Sequence, residues 1–112
     1  MSRGLQRERA VRDWLRDRDW VVTRAAGSLG DYDLHASKQG HTRLVEVKST
    51  HRGPYHGFSP ADRRRISFLA ELAGATAWLA WWPPHGQLHW IAETEWPSTP
   101  GEETDGRGSG TG

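Results

Sequence analysis

Cysteine is absent from this 112-residue chain. That excludes disulfides, thiolate nucleophiles and any zinc site with sulfur ligands. Apolar residues are sparse at 35%, and no run of them approaches the roughly 18–20 that cross a bilayer. The opening segment, MSRGLQRERA, is charged and has no apolar stretch behind it, so it does not read as a secretory signal. A cytoplasmic protein is the default expectation. Net charge is also small, +1 overall, but it is unevenly spread. Residues 97–112 hold Glu102, Glu103 and Asp105 against Arg107, a net −2, which leaves +3 on residues 1–96. A modest basic excess is compatible with phosphate-backbone binding and does not establish it.

Tryptophan is plentiful, with seven copies. Each buries far more apolar area than an average residue, so one small core is feasible, and the length suits one domain. Residues 1–96 are expected to form that domain. Residues 97–112, rich in Pro, Gly, Ser, Thr and acids, are expected to be a disordered tail.

Residues 5–18 read as a helix, since Leu5, Glu8, Val11, Trp14 and Leu15 recur at helical spacing. Residues 20–24 read as a short strand, 25–30 as a turn of small residues, and 31–36 as a second strand. A hairpin over 38–41 leads into a third strand, 42–50, and then a loop, 51–58. Ser59 fits an N-cap, Pro60 the first helical position, Asp62 a capping-box acid and Gly74 a stop. Ile66, Leu69, Ala70 and Ala73 form that helix's buried stripe. Residues 75–82 are apolar throughout, as in a strand covered on both faces. After a turn at 83–86, residues 87–92 can pair back as a last strand. The order predicts an α/β domain, α-β-β-β-α-β-β, with a central mixed sheet flanked by helices.

In a strand, side chains at i and i+2 share a face. Glu46 and Lys48 therefore point one way, with Val45 and Val47 opposite. By the same alternation Asp31, Asp33 and His35 share a face, and Tyr32 and Leu34 take the other. Pairing the two strands brings Asp33 close to Glu46. Adjacent carboxylates repel unless a cation lies between them, and Mg²⁺ accepts such oxygen ligands. The carbonyl of Val47 offers another oxygen, and the ammonium of Lys48 can orient a water or stabilise phosphate charge. An ordinary surface strand would carry the same E-x-K pattern, so the spacing alone leaves both readings open.

The pattern Gly30-Asp-Tyr-Asp33-Leu followed by Leu44-Val-Glu46-Val-Lys48-Ser resembles the PD-(D/E)xK nuclease superfamily. More closely, the chain resembles the archaeal Holliday junction resolvases and their phage relatives. The likeness takes in Gly4-Leu-Gln-Arg-Glu8-Arg9, Val21-Val-Thr-Arg24-Ala-Ala-Gly-Ser28, and Tyr55 in the loop, and spans about residues 3–93. Tyr32 stands where the family commonly has proline. The resemblance implies a restriction-endonuclease-like fold and a Mg²⁺-dependent endonuclease, with Mn²⁺ as a substitute, that resolves four-way DNA junctions as a homodimer. It implies work in the cytoplasm, or in the host cytoplasm for a phage-encoded copy.

Residue by residue, it implies Asp33, Glu46, Lys48, Glu8 and Ser28 as catalytic, and Glu8, Asp33, Glu46 and Val47 as metal ligands. It implies Arg3, Arg9, Arg24, Ser28, Tyr55, Arg63 and Arg64 as DNA contacts. Glu8 shares the helix face of Val11 and Leu15, and an inward acid needs a partner; an acid near a helix N-terminus is also favoured by the dipole alone. Ser28 is equally a plain turn serine, Arg24 equally a cap on the sheet edge, and the 63–65 arginine run equally a solvated face. The six histidines show no ligand spacing, so a histidine metal site is not expected. Trp78, Trp81, Trp82 and Trp90 read as core or interface, and Trp81 and Trp82, being adjacent, must face opposite sides. Another nuclease of the same fold, or a DNA-binding module without catalysis, remain the alternatives.

Overall fold

The computed structural model describes residues 3–25 and 31–97. The chain runs α1 (Arg3–Arg16), β1 (Val21–Arg24), β2 (Leu34–Lys38), β3 (His41–Lys48), α2 (Pro60–Ala73), β4 (Thr76–Trp81), β5 (His89–Ala92) and a final 3₁₀ turn, Glu93–Glu95. The five strands form one sheet in sequence order. β3 and β4 are parallel, joined by α2, and the other neighbours are antiparallel. The expected mixed α/β sheet is therefore present.

Each helix covers one face. Val11 and Leu15 of α1 pack on Val22, Leu34, Ala36, Val45, Val47 and Ala80. Ile66 and Ala70 of α2 pack on Leu44, Ala77, Leu79 and Phe58. Leu44 on one side and Val45 and Val47 on the other are what a period of two requires, and that period puts Glu46 and Lys48 on the α2 face.

Local signals account for most boundaries. Ser59 caps α2: its Oγ accepts from the Asp62 N–H at 3.1 Å, and the Asp62 carboxylate accepts from the Ser59 N–H at 3.2 Å. Gly74, at φ 67°, ends the helix and donates back to Ala70 and Glu71. Gln39 and Gly40 both have positive φ, 50° and 82°, the two-residue turn whose twist matches a hairpin.

Several expected boundaries are corrected. α1 ends at Arg16, not residue 18, because Asp19 turns left-handed at φ 70° and the Trp20 N–H returns to the Leu15 carbonyl. β2 begins at Leu34 rather than 31. The Asp33 N–H donates to the Val45 carbonyl at 2.9 Å, and Leu34 also stands opposite Val45, so two residues face one as in a β-bulge. The bulge shifts the alternation. Tyr32 packs on the α2 side while Leu34 is buried on the α1 side, so the two do not share a face. Ser28, most of the expected turn at 25–30, and the tail beyond Pro97 lie outside the described residues.

Candidate active site

Asp33 is held from both neighbouring strands. Its carbonyl accepts from the Ala25 N–H and its N–H donates to Val45, both at 2.9 Å. Its Oδ2 accepts from the Val47 N–H at 2.8 Å. The carboxylate thus sits between an acid of each layer: Glu8 on α1 acts on it, and it in turn acts on Glu46 of β3. Burial, with Glu8 adding to it, raises its pKa from 3.8 to about 6 against the opposing Val47 hydrogen bond. For Glu46 burial acts first and the Asp33 charge second, and together they raise it from 4.5 to about 7. The Lys48 ammonium, 3.1 Å from Glu46 Oε2, works the other way without cancelling the rise.

Two half-buried carboxylates whose charged forms are disfavoured by burial and by neighbouring acids are a donor set that a cation would stabilise. The donors are hard oxygens, suited to Mg²⁺ rather than a softer metal. Among the described residues no three acid or histidine side chains converge as a complete cage.

Glu8 lies beside Asp33, as its helix face suggested, and pairs with Arg24 through two contacts of 3.3 Å to one oxygen. Arg24 therefore engages an acid rather than capping a sheet edge. Arg9 follows on α1, half-buried, and Arg3 opens that helix. Val47 lies between Glu46 and Lys48 with its side chain in the α1 core. His35, half-buried on β2, stands between Thr23 and Leu44 in the ladder.

The arginine run divides. Arg63 donates to the Phe58 carbonyl at 2.6 Å and lies over the Tyr55 ring at 5.4 Å, clasping the 51–58 loop to α2. Arg64 is exposed on the helix. Arg65, not singled out by the sequence, pairs with Asp31 at 3.4 Å. With Asp31, Glu46, Lys48 and Asp62 it lines a cleft of about 220 Å³. Asp31 and Arg65 are thus the site residues that sequence reasoning passed over. Asp31 lies two residues before Asp33, and Arg65 lies three after the capping-box acid Asp62, one helical turn along the same side. The 51–58 loop closes in at Gly57, whose φ of 77° lets the backbone pass so near that an added Cβ would stand 3.8 Å from Lys48 Nζ. On the far side, Trp81 fixes the start of the same loop by donating to the Thr50 carbonyl at 2.7 Å. Trp82 instead lies on the α1 side under Arg7.

Comparison with known proteins gives the family and the fold. The family model described as archaeal Holliday junction resolvase matches residues 1–98. No curated protein matches the sequence. The fold is similar to that of Hjc, a Holliday junction resolvase from the archaeal hyperthermophile Archaeoglobus fulgidus, with a TM-score of 0.76 and 22% identity over 88% of this chain and 79% of that one. The chain belongs to the archaeal Holliday junction resolvase family.

Proposed function

We propose that this member of the family is a divalent-metal-dependent endonuclease that cuts four-way DNA junctions in paired strands, acting in the cytoplasm as a homodimer. The observation that carries the reading is the juxtaposition of Asp33, Glu46 and Lys48, with Nζ of Lys48 3.1 Å from Glu46 and both carboxylates pushed toward neutrality.

In this reading Asp33, Glu46 and the Val47 carbonyl would hold Mg²⁺ or Mn²⁺, with Glu8 completing the set. The ion, when bound, polarises the phosphodiester and lowers the pKa of a water. Asp33 is suited to a ligand role because the Val47 N–H fixes its carboxylate through Oδ2. Lys48, tethered by Glu46, places a positive charge where phosphate charge develops and can orient the attacking water. Arg24 sets the position of Glu8. Arg3, Arg9, Arg24, Ser28, Tyr55, Arg63 and Arg64 are proposed to meet the DNA backbone. Arg65 would add a cation at the mouth of the cleft once Mg²⁺ or DNA competes for Asp31. Residues 1–96 form the nuclease domain in this scheme, with 97–112 a tail outside it.

A synthetic four-way junction with Mg²⁺ tests the function. Paired, symmetric nicks are expected, with much slower cutting of flap, nicked and linear duplex DNA. Equal rates on all four would make it a nuclease of another kind on the same fold. Asp33→Asn and Lys48→Ala should each lower the rate by about 100-fold or more while still binding the junction. If both cut as well as the unaltered protein, the chemistry lies elsewhere.

A further inference from the structure

Five of the seven tryptophans pack on the α1 side of the sheet, away from the acids. Among them lies Arg43 of β3. Its guanidinium is 4.1 Å from the Trp78 ring centroid, 4.7 Å from Trp20 and 5.4 Å from Trp90. Burial lowers its pKa, yet guanidinium stays charged in proteins. Among the described residues Arg43 makes ring contacts but no hydrogen bond or ion pair. Its N–H donors are nonetheless not sealed off, since among the described residues the one buried side-chain donor left without a partner is Trp90 Nε1. A planar cation whose faces rest on indoles and whose edge is open is arranged for two-pronged recognition of an oxyanion.

The edge opens onto a groove of about 450 Å³ lined by Trp20, Lys38, His41, Arg43, Thr76 and Trp78, together with Gln39. No acid lines it. Lys38 spends one of its three donors on the Arg18 carbonyl at 2.8 Å and keeps two. The volume falls in the range of small-ligand sites. Arg43 is also separate from the acids: it lies three residues before Glu46, roughly 10 Å along the strand, and on the opposite face of the sheet.

We propose that this groove binds a nucleotide unit, free or within a nucleic-acid strand, with its phosphate on Arg43, Lys38 and His41 and its base against an indole of Trp20 or Trp78. Cations alone would suit any anion. The flanking indoles favour one that carries a planar base, because base–aromatic stacking adds about 1–3 kcal/mol per base. The proposal does not depend on the cleavage reading, since no residue is shared between the two sites.

The indole N–H resonances of isotope-labelled protein read this site directly. Without divalent metal, the protein is titrated with thymidine 5′-monophosphate, a twelve-nucleotide thymidine strand and a glutamate-rich peptide. Signals of Trp20 and Trp78 should move with the nucleotide or the strand and persist in Lys48→Ala. A strand that binds at least tenfold tighter than the monophosphate assigns the groove to nucleic acid; equal affinity assigns it to free nucleotide. Arg43→Gln should weaken binding at least tenfold. If that variant unfolds, the pair of half-buried Lys38→Gln and exposed His41→Gln serves, with a loss of several-fold and a salt slope lower by about one. Unmoved indole signals, unchanged affinity in the charge variants, or a peptide that binds as well as the strand would each overturn the proposal.

Discussion

At the scale of single residues, the raised pKa of Glu46 makes a statement about stability. The folded chain holds a proton that the unfolded chain would release between about pH 4.5 and pH 7. Stability of the metal-free protein is therefore fully present below that window and falls as pH rises through it. By pH 8 the ionised Glu46 carboxylate, half-buried and beside Asp33, costs on the order of 3 kcal/mol. Glu46→Gln removes that cost, so in EDTA the variant should be more stable than the unaltered protein at pH 8, and the gap should close by pH 4–5. Denaturant melts at several pH values measure it, and an equal gap at pH 5 and pH 8 would contradict the assignment. Mg²⁺ should stabilise the unaltered protein at pH 8 and do much less for the variant, because the ion is expected to relieve the same repulsion.

At the scale of elements, the hairpin between β2 and β3 carries visible strain. Gln39 holds φ 50°, where asparagine or glycine is the usual occupant of such a turn. Gln39→Asn should raise stability by about 0.5–1 kcal/mol, read as a shift in denaturation midpoint with unchanged slope. A loss would mean that Gln39 contributes through the groove it borders. The elements also separate what a sequence can tell from what it cannot. Glu46 and Lys48 share a face by alternation inside one strand, and the cap of α2 is written into Ser59, Pro60 and Asp62; both are local and were legible. The bulge at Asp33 was not. It depends on Val45 and Val47 of another strand offering a carbonyl and an N–H, and no period in residues 31–36 records that. Arg65 escaped for a related reason. Three consecutive arginines are equivalent until the helix is docked, and only docking decides which one meets Asp31.

At the scale of the whole molecule, the two faces of the sheet divide the work. The α1 face concentrates tryptophan and most of the core, while the α2 face carries the Lys48 cleft. A four-way junction has two-fold symmetry, and paired cuts call for two such clefts related by a two-fold axis. We expect two copies to meet on α2, which carries exposed apolar surface. Phe68 and Leu72 are 54% and 70% exposed and lie four residues apart, on one side of the helix. That side continues from Arg65, so a second copy seated there would bring its own cleft near the first. The expected outcome in sedimentation equilibrium is a mass of twice 12.6 kDa for the unaltered chain. Phe68→Glu with Leu72→Glu, both at exposed positions, should give the monomer mass with an unchanged circular dichroism spectrum. On a junction that variant should leave singly nicked products in place of paired ones. A double variant that stays dimeric would move the interface off α2, and an unaltered chain that sediments as a monomer at cutting concentrations would remove the symmetric-dimer mechanism altogether.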